Sequence, residues 1–217
     1  MKHTKIIILT LFALLLSIQV SFAQSFNGGL IAGATASQVD GDRYSGYHHL
    51  GYTAGAYINL PFENSFALQM EMKYSLFGAH SDVKEVENGM SPYVLHLHYA
   101  EMPLMARYNL ERFHVGTKSL DFITLEAGIS LDFLLKNSGG VDNEPEIESN
   151  SWRFFSATAN IGIHFDLNEH WGIGVRGMYS FIPIRIYVDN TQSNLVTHFY
   201  NKVWQAVITY NLKARGR

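Results

Sequence analysis

His96 and His98 stand two residues apart in the run LHLHYAEMP, so on an extended chain both imidazoles leave the same face. Two such rings can grip a metal ion at two points. A working zinc site needs three or four ligands and an outer shell that orients them, so the pair predicts no metal centre. Six of the ten histidines, His48, His49, His80, His96, His98 and His198, fall toward the long connecting segments, and they read as surface histidines in wet loops. Ser45 with His48, and Ser81 with His80, put a hydroxyl near a base. Nucleophilic catalysis needs that couple held in reach and oriented by a third group, and closeness within a loop does not supply it. No catalytic residue is expected, and no enzymatic activity. Asp142, Glu144, Glu146 and Glu148 form an acidic run without the ordered oxygen spacing and glycine of a calcium-binding hand. It reads as a solvated loop, able at most to bridge cations to lipid phosphates or to draw a basic partner. The chain calls for no cofactor.

A different set of charges is more telling. Gln69, Glu71, Lys73, Glu101, Arg107, Glu126, Asp132, Asn160, His164, Asp166 and Arg176 each occupy the polar row of a segment whose other row is apolar. In Phe66–Phe77, FALQMEMKYSLF, the apolar row is Phe66, Leu68, Met70, Met72, Tyr74 and Leu76, and Gln69, Glu71 and Lys73 face the other way. Period-two alternation is the signature of a β-strand with two unlike faces. At about 3.3 Å per residue Phe66 and Tyr74 stand roughly 26 Å apart. A tilt of about 40° reduces that to roughly 20 Å, near the roughly 25 Å apolar band of an outer-membrane barrel.

Seven further segments repeat the alternation: Phe26–Ser37, Gly51–Leu60, Tyr93–Leu110, Phe122–Leu135, Arg153–Leu167, Trp171–Phe181 and Lys202–Leu212. The links between the eight are by turns long and short. Gln38–Leu50, Gly78–Pro92, Lys136–Trp152 and Pro183–Tyr200 are long, Pro61–Asn64 and Asn168–His170 are short, and Glu111–Asp121 is intermediate. Barrels divide outer loops from periplasmic turns in this way. The apolar rows carry aromatics at both ends. Phe26, Phe66, Tyr108, Phe165, Trp171 and Tyr210 lie near the short turns; Tyr52, Tyr74, Phe133, Phe155, Tyr179, Phe181 and Trp204 lie near the long loops. Two such rings are the girdles of a membrane barrel. The expectation is an all-β protein, an eight-stranded antiparallel transmembrane β-barrel over residues 24–212. The charged row faces its interior, which is just wide enough for side chains to fill, so the charges can pair there as a plug. The alternative is an ion path or a ligand pocket.

Composition agrees. Of 217 residues only 16% are charged and 13% are aromatic, where a soluble domain carries about 25% charged residues. Lys2 and Lys5, the apolar run Ile6–Leu16 and the small-x-small stretch Ser21-Phe22-Ala23 read as a cleaved signal peptide, residues 1–23. Without Lys2 and Lys5 the count is 14 basic against 19 acidic residues, a formal charge of −5, which excludes nucleic acid as a partner on charge grounds. There is no cysteine.

The runs GGLIAGATASQVDGD, GYTAGAYINLPFENSFALQMEMKYSLFGA and YAEMPLMARYNL resemble the PorT-like outer-membrane β-barrel family of Bacteroidota. Gln69, Glu71, Tyr74 and Ser75 match one family element, and Glu101, Pro103, Leu104 and Tyr108 another. The resemblance implies an outer-membrane barrel with both termini periplasmic, in contact with outer-membrane lipid and lipopolysaccharide and delivered by the barrel-assembly machinery. Named members assist type IX secretion and gliding, so it also implies secretion-system or surface proteins as partners. The chain departs from the family pattern at its end: residues 213–217 trail beyond Leu212, leaving Tyr210 and Leu212 as the assembly signal.

Overall fold

A computed structural model describes residues 26–42, 46–62, 65–82, 86–89, 92–141, 152–189 and 195–212. The proposed signal segment, the acidic run and the final extension lie outside the described residues. Among the described residues nine strands form: β1 (Asn27–Asp40), β2 (His49–Pro61), β3 (Phe66–His80), β4 (Tyr93–Val115), β5 (Lys118–Val141), β6 (Phe155–Asp166), β7 (Trp171–Ser180), β8 (Arg185–Asp189) and β9 (Leu195–Asn211). Consecutive strands pair antiparallel from β1 to β7, β7 pairs with β9, and β9 returns to β1 from Gly29–Asn211 to Asp40–Tyr200. Eight strands therefore close into a ring with no free edge along that seam.

Two of the expected connections are in fact strand. The Glu111–Asp121 link is the end of a hairpin, because β4 runs on to Val115 and β5 starts at Lys118, with Gly116 in the left-handed region (φ +65) where the chain reverses. The Pro183–Tyr200 loop holds the ninth strand. β8 pairs with Leu195–Phe199 of β9, outside the ring, and Arg185 makes one isolated bridge to Trp152. Elsewhere the strands outrun the apolar rows at the long-loop end: β3 reaches His80 and β5 reaches Val141. The Asn168–His170 turn is as short as expected, its Asn168 Oδ1 accepting from the His170 and Trp171 amides at 2.9 Å each.

The two faces of the ring are inverted relative to a soluble protein. Leu68, Met70 and Met72 of β3, Leu104 of β4, Ile129 of β5 and Ile173 of β7 are exposed, while Gln69, Glu71, Lys73, Glu101, Glu126 and Arg176 are buried. Of the aromatics at the two ends, Phe26, Phe66, Trp171, Tyr52, Phe155, Tyr179, Phe181 and Trp204 are exposed, and several of the aromatics pair across the ladder. Phe66 meets Tyr108 with ring centroids 4.6 Å apart, Trp171 meets Tyr210 at 4.9 Å, and Phe133 meets Phe155 at 5.6 Å. Trp204 lies against Gly177, the one gap in the apolar row of β7.

Toward the long loops the interior changes character. Val39, Phe77, Ala79, Tyr93, Leu95, Leu97, Tyr99, Leu134, Met178, Ile184 and Val203 form a buried apolar cluster, with Trp152 and Phe199 packed on it. Arg185 lies over the rings of Trp152 and Phe199, 5.2 and 5.5 Å from their centroids. The alternation expected this interior to be polar throughout. The reason for the difference is visible in β4, where the apolar row is odd-numbered from Tyr93 to Tyr99 and even-numbered from Ala100 to Tyr108, although the odd side chains face inward all along.

Candidate functional site

Between the two aromatic ends the inward-facing polar side chains form hydrogen-bonded groups, the largest of them centred on Arg176. Arg176 on β7 sits four strands from Glu71 on β3 by either route round the ring. Its guanidinium nevertheless reaches that carboxylate, Nη1 and Nη2 donating to Oε2 and Oε1 at 2.8 Å each. Its Nε donates to Glu126 Oε2 on β5 at 2.7 Å. One arginine thus crosses the full width of the interior and ties three strands. The sequence makes room for it: the residue opposite on β6 is Gly162, where a Cβ would come within 2.7 Å of Arg176 Cγ.

The rest of the network leans on this crossing. Arg107 holds the other oxygen of Glu126 (Nε to Oε1, 3.0 Å) and donates from Nη1 to Gln69 Oε1 at 2.5 Å. Gln69 Nε2 donates to Glu71 Oε1 at 2.6 Å. Lys73 Nζ stands 3.3 Å from Glu71 Oε2 and 3.8 Å from Glu101 Oε2, and donates to Gln205 Oε1 at 3.0 Å. Ser75 donates to Glu101, and Ser130 and Thr158 both donate to Asp132. Asn160 donates back to the Thr158 carbonyl at 3.1 Å. Nearer the short turns His164 pairs with Asp166 at 3.5 Å and shares a hydrogen bond with Thr209 at 3.0 Å. Around it a cavity of about 20 Å³, lined also by Asn27, Tyr57, Asn59, Arg107 and Asn211, has room for little more than one water. All the charged residues named for the interior row are brought together here; only Asp166, at the mouth, is partly open.

The histidines form a second, smaller group at the other end. Five of the six stand on strands, His49, His80, His96 and His98 on β2, β3 and β4 and His198 on β9, while His48 is an exposed residue outside them. His98 bonds to the Tyr74 hydroxyl. Three residues beyond Tyr52 the β2–β3 ladder has ended, and β1 takes over, Thr35 Oγ1 donating to Leu76 O at 2.8 Å and Ser37 Oγ to Gly78 O at 3.0 Å. His49 is buried there, its Nε2 2.9 Å from His96 Nδ1 and its Nδ1 3.2 Å from Ser37 Oγ. The bridge passes over Gly78, where a Cβ would lie 2.9 Å from the His49 ring and 1.8 Å from the Leu95 carbonyl. Burial, then the neighbouring His96, His80 and His98, pushes the His49 imidazole down to about 4. Among the described residues no group of three or more ligating side chains is placed to hold a metal ion. Of the serine–histidine couples, Ser81 Oγ accepts from the Tyr93 amide at 3.0 Å, and Ser45 lies outside the described residues.

The buried apolar cluster and the His49–His96 bridge were not foreseen. The signal for the first was the row switch at Tyr99 in β4; the second has none, since it needs three strands and a glycine in register.

The chain is similar to several solved outer-membrane proteins. Ail of Yersinia pestis matches at 11% identity, covering 87% of this chain and all of that one, with a TM-score of 0.46. OprG of Pseudomonas aeruginosa matches at 10% identity over 87% of this chain and 95% of that one (TM-score 0.43), and outer membrane protein W of E. coli at 12% over 85% and 98% (TM-score 0.39). No curated protein matches in sequence. The profile of the outer membrane protein beta-barrel domain covers residues 19–185, more than half the chain. With its closed antiparallel ring, polar inside and apolar outside, the chain belongs to the outer-membrane protein β-barrel domain family.

Proposed function

We propose that the mature chain, beginning at Gln24 after loss of residues 1–23, crosses the outer membrane as an eight-stranded barrel with long loops outward and both termini periplasmic. The apolar outer row meets lipid between the two aromatic rings, with lipopolysaccharide around the outer one, and the barrel-assembly machinery inserts it. Its work is done by surface and loops rather than by a pore or an active site, as a structural or interaction protein of the envelope. The likeness of its strand motifs to PorT-like proteins makes secretion-system or surface proteins the partners to test.

The observation that carries this reading is the Arg176 crossing, which with Arg107 and Lys73 fills the interior where a transport path would run. Glu71, Glu101 and Arg107, the residues around which an open cavity would favour a transporter, are instead engaged in ion pairs or hydrogen bonds. In planar bilayers the purified protein is expected to give no steady single-channel conductance; a reproducible open channel would refute the closed-barrel reading. Mild-detergent purification from native membrane is expected to retain a stoichiometric partner, and a lone barrel would sink the interaction role.

A further inference from the structure

Among the groups buried in the ion-pair network there are four carboxyls, Glu71, Glu101, Glu126 and Asp132, but three cations, Lys73, Arg107 and Arg176. His164 is taken by Asp166 at the mouth. The cations are not spread evenly. Arg176 is spent on Glu71 and Glu126, Arg107 on Glu126 and Gln69, and Lys73 lies closer to Glu71 than to Glu101. The shortfall falls on Glu101 and Asp132. These two are directly opposite each other in the β4–β5 ladder, where facing Cβ atoms are about 4.5–5.5 Å apart and like charges repel. Both are essentially without solvent contact, at 0% and 1% exposure.

Apart from Lys73, 3.8 Å from Glu101, the donors to them are neutral. Ser75 from β3 bonds Glu101, and Ser130 from β5 and Thr158 from β6 bond Asp132. Gln205 on β9 offers its carbonyl oxygen to Lys73, and the Tyr99 hydroxyl accepts from Asn201. The buried Glu101 Oε1 has no hydrogen-bond donor among the described residues. An ionised carboxylate oxygen in that position would be costly to leave bare; protonated, the carboxyl is neutral and has Asp132 across the ladder as an acceptor.

We infer that Glu101 and Asp132 form a proton-binding site, one proton held between the two carboxyls at neutral pH and completing an electroneutral plug. Removal of either carboxyl leaves three acids facing three cations, so the proton is no longer needed. Infrared difference spectroscopy of the full chain in lipid vesicles reads this directly, through the carbonyl stretch of a protonated carboxylic acid. The wild type is expected to show one such band at pH 7, slow to shift in deuterium oxide. It is lost in both Glu101→Gln and Asp132→Asn, and retained in Glu111→Gln, which changes a surface acid. A band that survives in both interior variants overturns the proposal. So does its absence from the wild type, a measurement that holds even if the variants fail to fold. A wild-type band seen in choline chloride and abolished by sodium or potassium chloride also overturns it, since a metal cation would then fill the place given to the proton.

Discussion

The closed sheet has two storeys, and they are built on opposite rules. Between the aromatic rings the wall is apolar outside and charged inside, with Met70, Leu104 and Ile129 facing out and Glu71, Glu126 and Arg176 facing in. Beyond the long-loop ring the same strands carry histidines and other half-buried side chains outside and Phe77, Leu95, Leu97 and Val203 within. The backbone is continuous, the β4–β5 register shifts between His98 and Tyr99, and the pattern changes sides. If lipid surrounds the first storey and water the second, this is what burial requires. Only the wet storey can draw its cohesion from apolar burial, whereas in the lipid storey moving an apolar group from outside to inside gains almost nothing. Its interior is then held by ion pairs and hydrogen bonds, which gain strength where water is excluded.

The sharpest way to break this contrast is to remove the crossing arginine. Arg176→Met strands Glu71 and Glu126 without their main counter-charge, and is expected to cost about 3–5 kcal/mol, read as a lowered urea midpoint for unfolding from vesicles. In the upper storey Leu97→Ala removes a fully buried side chain from an apolar cluster and should cost about 2–5 kcal/mol. A lysine on the outer wall separates the storeys most cleanly. Met70→Lys lies midway between Phe66 and Tyr74 and should cost about 2–4 kcal/mol in vesicles. Val94→Lys, on the outer row above the ring, should stay within about 0.5 kcal/mol; equal costs at the two sites would refute the division.

The last expected effect is one of pH. His49 is held neutral in the fold, its pKa lowered to about 4 by burial and the nearby histidines, against 6.5 when unfolded. The unfolded chain therefore takes up the proton first as pH falls. The stabilisation is complete above about 6.5, declines below it, and is lost by the time pH has passed through 4. The thermal midpoint should drop across that window, and His49→Gln should flatten the drop.

Much of the wall was legible in the residues. In Phe66–Phe77 every second side chain is apolar, and a strand has only two faces, so the rows could be assigned without knowing the neighbours. The order of Gln69, Glu71 and Lys73 along one row likewise placed them on one side of one strand. Their partners were another matter. Nothing local links Glu71 to Arg176, which is 105 residues away. The strand ends were also misjudged where apolar patterning stopped: the Glu111–Val115 stretch, exposed throughout, remains strand because it pairs with Lys118–Leu120 despite two register shifts.

Which faces are alike and how many strands close the ring could be read from the residues alone, because these follow from a period of two and from solvent preference. Only the tertiary structure decided which storey each face belongs to and how the charges are shared. Closure of the ring brings opposite strands within reach of one side chain. Ion pairing across that gap depends on distance in space, and alternation along a strand carries no information about it.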